Sequence, residues 1–213
     1  YPSYARVSDS DMQALYAYFM KGVEPVAQAN KDSDIPWPLS MRWPLAAWRW
    51  MFAPAVEEHQ AQAATDPVVS RGAYLVEGLG HCGACHTPRA LTMQEKALSA
   101  TDGSAFLSGS APLEGWIAKS LRGDHKDGLG SWSEEQLVQF LKTGRSDRSA
   151  VFGGMSDVVV HSMQYMSQDD LTAIARYLKS LPAVDPKDQP HQYDKQVAEA
   201  LWKGDDSKPG ASV

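Results

Sequence analysis

Only two cysteines occur in this 213-residue chain, so a scaffold stapled by several disulfides is excluded. Long apolar runs are missing too. The most apolar stretch, from Trp37 to Pro54, is broken by Arg42, Arg49 and several prolines, and no segment reads as a transmembrane span. Charge of one sign is nowhere concentrated: Lys+Arg against Asp+Glu is 5 and 7 in residues 1–65, 11 and 13 in residues 66–182, and 4 and 6 in residues 183–213. This even, mildly acidic balance excludes the basic block expected of a nucleic-acid or anionic-membrane binder and leaves a protein or a small carrier as the partner. Strand signals are almost absent, as are internal repeats and low-complexity tracts, which removes βαβ and solenoid architectures.

What is present is concentrated in one run, Cys82-Gly83-Ala84-Cys85-His86. Cys-x-x-Cys-His is the pattern that receives a covalently attached c-type haem: each thiol adds to one porphyrin vinyl group, and the adjacent imidazole becomes the proximal iron ligand. A thioredoxin-like redox pair is the first alternative, but it expects the βαβ setting that the chain lacks. Half of a zinc site is the second, and it needs another Cys/His pair at short spacing. Haem attachment consumes both thiols, so neither is left for a disulfide. It takes place outside the cytoplasmic membrane. Since the chain has neither an initiating Met nor a signal peptide, it is expected to be a processed or excised piece of an exported, periplasmic protein.

Helix signals recur along the chain. Ser8 with Asp11 caps a helix over residues 9–21 whose Met12, Leu15, Tyr16 and Phe19 share a face. Asp66-Pro67 opens a second, with Val69, Ala73 and Val76, which stops at Gly78 and Gly80 before the haem motif. Ser133 with Gln136 starts a third that ends at Gly144, and Ser167 with Asp170 a fourth that ends at Pro182. Gly72 and Tyr74 are placed to meet Tyr177 at a close helix crossing. A last amphipathic piece, Tyr193, Val197, Ala200 and Leu201, ends at Gly204 before a polar tail. Residues 30–65 break the rhythm. Trp37, Trp43, Trp48, Trp50 and Phe52 lie among Pro36, Pro38, Pro44 and Pro54, a composition expected to resist long regular structure and to form an arm. Its apolar surface packs on its own chain or docks a partner.

A six-coordinate haem needs a distal ligand, commonly a Met thioether. Met12, Met20, Met41 and Met51 precede the haem domain, and Met93 is too close to the motif to reach the opposite face. Met155, Met163 and Met166 remain. Met155 is favoured, because Gly153-Gly154 before it lets a loop approach the porphyrin closely, whereas Met163 and Met166 adjoin a capped helix as core filler does. His125 and His161 are rivals; His81 is tethered beside Cys82, and His59 and His191 lie outside the core unit. Arg89, Trp116, Arg122 and Trp132 are candidate hydrogen-bond donors to the haem propionates, which are costly to bury unpaired. Residues 124–135 superficially suggest a calcium loop, but Lys126 and Gly128 stand where oxygen ligands are required.

Arg71-Gly72-Ala73-Tyr74-Leu75-Val76, Gly80-His81-Cys82-Gly83-Ala84-Cys85-His86-Thr87-Pro88-Arg89, Gly128-Leu129-Gly130-Ser131-Trp132-Ser133, Leu141-Lys142-Thr143-Gly144-Arg145, Val151-Phe152-Gly153-Gly154-Met155 and Tyr177-Leu178-Lys179-Ser180-Leu181-Pro182 together resemble the multihaem cytochrome c subunits of bacterial membrane-associated alcohol, gluconate and sugar dehydrogenases. The resemblance implies that Met155, in the Gly-Gly-Met element, is the distal ligand. It also implies that the chain is the middle of three haem domains, because Pro2 to Met20 resembles the end of a preceding domain and Val197 to Gly204 the lead into a following one.

The expected architecture is all-α. A class I type cytochrome c domain occupies residues 66–182, with a helix and Trp/Pro-rich arm over 1–65 and a linker over 183–213. The expected role is electron transfer by one haem c held through Cys82 and Cys85, with His86 and Met155 on the iron. No nucleophile or acid/base pair emerges for an enzyme. The resemblance implies as partners a flavin or quinoprotein dehydrogenase subunit, neighbouring haem domains, and quinone or a terminal oxidase. A small haem peroxidase and a haem-based ligand sensor are the alternatives.

Overall fold

In the computed structural model the described residues are 2–38, 40–57, 66–112, 115–190 and 195–205. Their regular structure is helical, with two isolated β-bridges, Arg89 to Glu95 and Arg145 to Ala150, as the only extended pairing among them. Tyr193, His59, His191 and the polar tail lie outside the described residues. The helices are α1 (Asp9–Ala17), α2 (Pro44–Phe52), α3 (Pro67–Tyr74), α4 (Gly83–His86), α5 (Glu134–Thr143), α6 (Gly154–His161), α7 (Gln168–Ser180) and α8 (Lys195–Trp202).

Each expected cap forms. The Ser8 hydroxyl accepts from Asp11 N–H at 3.2 Å, and α1 runs on as a π-helical turn over Tyr18–Gly22. Asp66 accepts from Val68 N–H at 2.9 Å with Pro67 in the first turn of α3, which continues as a π turn over Leu75–Leu79. Ser133 and Gln136 exchange both bonds of a capping box, and Gly144 closes α5 in the left-handed region at φ 73°. Ser167 accepts from Asp170 N–H at 3.1 Å to open α7.

The core is built where α3 crosses α7 and α7 meets α5. Val76, Leu137, Leu171, Ile174 and Leu178 are buried in it together with Phe106 and Leu107 from the loop between α4 and α5. Gly72 explains the close crossing. A Cβ built there would stand 2.0 Å from the Ala173 carbonyl oxygen and 2.6 Å from Tyr177 Cβ, so any larger residue pushes the two helices apart.

The N-terminal segment belongs to this packing. Arg6 donates to Glu77 Oε2 at 3.1 Å, and the buried Glu77 takes the Tyr177 hydroxyl on its other oxygen at 2.5 Å. Val7 is buried near Gly78, and Tyr74 donates its hydroxyl proton to Asp11 at 2.5 Å. The π turn that leads into the haem motif is thus held by the N-terminal segment and by Tyr177 of α7.

The described residues of the arm, 30–38 and 40–57, are more regular than its composition implied, because α2 forms between two of the prolines. Pro44 sits at the first helical position, where it has no hydrogen bond to lose, and Pro54 follows the end. The two readings of the arm divide between its aromatics. Trp48 donates its indole N–H to the Thr92 carbonyl at 2.7 Å, and Met51 and Phe52 line a groove with Pro2 and residues 94–98. Trp37, Trp43 and Trp50 remain exposed.

Candidate haem site

The motif occupies one short helix. Cys82 is the N-cap of α4, and the turn is stitched by His86 N–H to Cys82 carbonyl at 3.0 Å and Thr87 N–H to Gly83 carbonyl at 2.9 Å. Cys85 is exposed. Burial pushes the Cys82 thiol up to about 11, which keeps that sulfur protonated in the polypeptide. Gly83 is buried because Phe106 and the Thr87 hydroxyl stand about where a larger residue would meet them, each 3.3 Å from a Cβ built there. Before the turn, His81 takes φ 38°, a left-handed conformation that costs a non-glycine residue roughly 1–3 kcal/mol.

His86 has the orientation of a metal ligand. Its Nδ1 lies 2.7 Å from the Lys119 carbonyl oxygen, and a carbonyl only accepts, so Nδ1 carries the proton and Nε2 keeps its lone pair. Burial lowers the imidazole's pKa and favours this neutral form, although the bond to Lys119 works in the opposite direction. The Lys119 carbonyl is itself placed by a short ladder: Ser110 N–H to Ala118 carbonyl at 3.0 Å, Leu121 N–H to Leu107 carbonyl at 2.9 Å and Gly109 N–H to His86 carbonyl at 2.8 Å.

Met155 lies in the first turn of α6 and packs partly buried against the core, as do Met163 and Met166. A loop presentation was expected. Helix α6 starts one residue earlier instead, with Gly153 as N-cap at φ 56°, a conformation that favours glycine. His125 and His161 are not fully buried, and His161 ends α6 at the opposite end from Met155.

The four candidate propionate donors have separate sets of partners. Arg89 donates to the Ala84 carbonyl at 2.9 Å and the Met93 carbonyl at 2.7 Å, clasping the segment that follows the motif to α4. Arg122 is buried and donates to the Phe106 and Pro182 carbonyls, each at 3.0 Å; desolvation lowers its pKa. Trp132 packs against the core with its ring edge-on to Phe140. Trp116 lies parallel to Phe152, with ring centroids 5.9 Å apart.

Two contributors went unread in the sequence. The Lys119 carbonyl has no side-chain signature, since any residue supplies that oxygen. Glu95 has a buried Oε1 with no hydrogen-bond partner, and Gly83 is its near neighbour; burial raises its pKa despite the nearby Arg89.

These residues fit a c-type haem. Two thiols and an imidazole share one turn, and the imidazole is held by Nδ1 with Nε2 left for iron. Among the described residues no group of three or more His, Cys, Asp or Glu side chains converges on a metal-sized site, so the zinc alternative gains no second ligand pair.

An all-helical domain built around such a turn is a c-type cytochrome. Comparison with known proteins places it further. The chain is 69% identical over its whole length to the gluconate 2-dehydrogenase cytochrome c subunit of Pantoea cypripedii, covering 48% of that protein. It is 58% identical over its whole length to the cytochrome c subunit of alcohol dehydrogenase (quinone) from Gluconacetobacter polyoxogenes, covering 46% of it. Over 86% of the chain it is 37% identical to the fructose dehydrogenase cytochrome subunit of Gluconobacter japonicus, covering 36% of that protein. No family model matches the chain. The chain belongs to the family of dehydrogenase cytochrome c subunits and spans about half the length of the first two relatives.

Proposed function

We propose that this chain is a one-electron relay domain carrying a single haem c, attached through Cys82 and Cys85 and ligated by His86 and Met155. The observation that carries the reading is the 2.7 Å contact between His86 Nδ1 and the Lys119 carbonyl, which orients an imidazole already tethered beside two thiols. The haem supplies an iron that gains and loses one electron without rearranging a substrate. The protein's part is to hold and to exclude. Thr87 and Gly83 keep the turn compact, and Phe106 and Leu107 close the interior behind it. A thioether from Met155 would favour ferrous iron and raise the potential. Arg89, Trp116, Arg122 and Trp132 remain the candidate donors to the propionates; Arg89, exposed, is the one nearest the motif in sequence.

Residues 66–182 form the haem domain in this reading, 1–65 are the end of a preceding domain with its linker, and 183–213 lead toward a following one. The relatives are named as subunits of gluconate, alcohol (quinone) and fructose dehydrogenases, which supports a dehydrogenase as electron donor; in this reading the donor is a flavin or quinoprotein dehydrogenase subunit and the destination quinone or a terminal oxidase. No helix among the described residues is long and apolar enough to cross a membrane. Haem attachment outside the cytoplasm supports a periplasmic place, and the dehydrogenase relatives support one within a complex at the outer face of the cytoplasmic membrane.

The test is a reductive titration of the purified holoprotein with a one-electron dye, followed by mixing with peroxide. One electron per chain, full reoxidation by an electron-accepting protein and no peroxide turnover are expected. Rapid peroxide turnover contradicts the relay and favours a peroxidase.

A further inference from the structure

We infer that Trp116 is a positioning residue for the distal ligand and that the four-residue segment Trp116–Lys119 orients both axial ligands; this rests on the proposed ligand pair. The proximal half is the Lys119 carbonyl on His86 Nδ1. The distal half is the contact of Trp116 with Gly153. A Cβ built on Gly153 would lie 2.5 Å from Trp116 Cδ1, 2.7 Å from Cγ and 2.8 Å from Nε1, so the indole presses on that residue's backbone at a distance only glycine allows. Gly153 is at φ 56°, ψ −144°, and it is the N-cap of α6 with Met155 two residues on. Phe152, on the other side of Gly153, lies parallel to the same indole within 6°. The start of α6, and with it the direction of Met155, is therefore set against the Trp116 ring.

The chain on either side of Gly153 is also tied to the end of α5 without the indole. Val151 N–H donates to the Gly144 carbonyl at 2.9 Å, and a Cβ at Gly144 would come within 2.9 Å of a Val151 methyl group and 3.6 Å of the buried Val159. Val151 before Gly153 and Val159 further along α6 keep these contacts whatever happens at Trp116. Removing the indole frees only the Gly153 turn between them, so the consequence is local: the thioether keeps its chain but loses its aim. Trp116 is itself half exposed and contributes little to the core, which separates this role from structural support.

The experiment compares holoprotein variants Trp116→Ala, Trp116→Phe, Gly153→Ala and Met155→Ala. It reads the methionine-to-iron band of the oxidised form, the midpoint potential, the rate of carbon monoxide binding to the reduced form and the far-ultraviolet circular dichroism. In Trp116→Ala the methionine band should weaken, the potential fall and carbon monoxide binding accelerate about tenfold, because an open iron becomes a larger share of the population. Helical content should be unchanged, and Trp116→Phe should restore most of the band. Gly153→Ala should copy Trp116→Ala, since its Cβ displaces the same contact. A band, potential and carbon monoxide rate in Trp116→Ala equal to wild type, with the band absent in Met155→Ala, overturns the positioning role and leaves the ligand assignment standing. A band that survives in Met155→Ala overturns the ligand assignment first and this inference with it.

Discussion

Thr87 shows how one side chain secures the turn that carries the chemistry. It follows His86, is fully buried, and its hydroxyl accepts the backbone N–H of Leu107 at 3.0 Å. Leu107 is also fully buried and is held at φ 57°, a conformation a leucine adopts only under constraint. Thr87→Val keeps the shape and removes the acceptor, leaving a buried N–H unpaired at a cost of about 1–3 kcal/mol. The expected result is a lower denaturation midpoint of the holoprotein with an unchanged denaturant slope; an unchanged midpoint would mean that Leu107 is held by its neighbours alone. At this scale the sequence was half legible. Cys82, Cys85 and His86 stand out as candidates because haem attachment chemistry dictates residue type and spacing, and the structure sets them on one turn. The Lys119 oxygen, the Arg122 bonds to the Phe106 and Pro182 carbonyls and the strained His81 involve backbone groups, which leave no mark in residue identity.

Among the elements, the link between α3 and α7 makes the stability depend on pH. Arg71 of α3 donates to Asp170 in the first turn of α7 through Nε at 2.8 Å and Nη2 at 3.3 Å. The bond from Arg71 holds the Asp170 carboxyl below its usual 3.8, while partial burial pulls the other way. A carboxylate with a depressed value in the folded chain contributes its full stability above the unfolded value and loses it as pH falls through the folded one. Asp170→Asn should therefore lower the melting temperature slightly at neutral pH, and the difference from wild type should shrink below about pH 4. Melting curves across that range check it, and a gap that is constant with pH would assign the effect to helix capping alone. The capped helices α1, α3, α5 and α7 could be read from the sequence because a Ser or Asp with a partner two or three residues on is a local signal. Helix α2 could not, because the prolines that argue against it happen to fall at its two ends, and only the fold reveals that placement.

At the scale of the whole molecule, the helical core that carries the Cys-x-x-Cys-His turn is joined by contacts to the N-terminal segment and the arm. Residues 2–7 are bound to the motif's entry turn through Arg6, Glu77 and Val7, while Trp37, Trp43 and Trp50 stand exposed on an arm whose Trp48 is hydrogen-bonded to the domain. The all-α architecture was legible because helical periodicity is local. The division of the arm between covered and exposed aromatics was not, because composition reports how much apolar surface a segment has and not which part finds a neighbour. Everything proposed for the whole molecule depends on a haem closed on both faces by protein ligands. The most direct measurement is the oxidised and reduced absorption spectrum of the exported, haem-loaded chain beside that of Met155→Ala. A low-spin c-type spectrum whose methionine-to-iron band disappears in the variant is the expected result. A high-spin wild-type spectrum, or a band that persists without Met155, would contradict it.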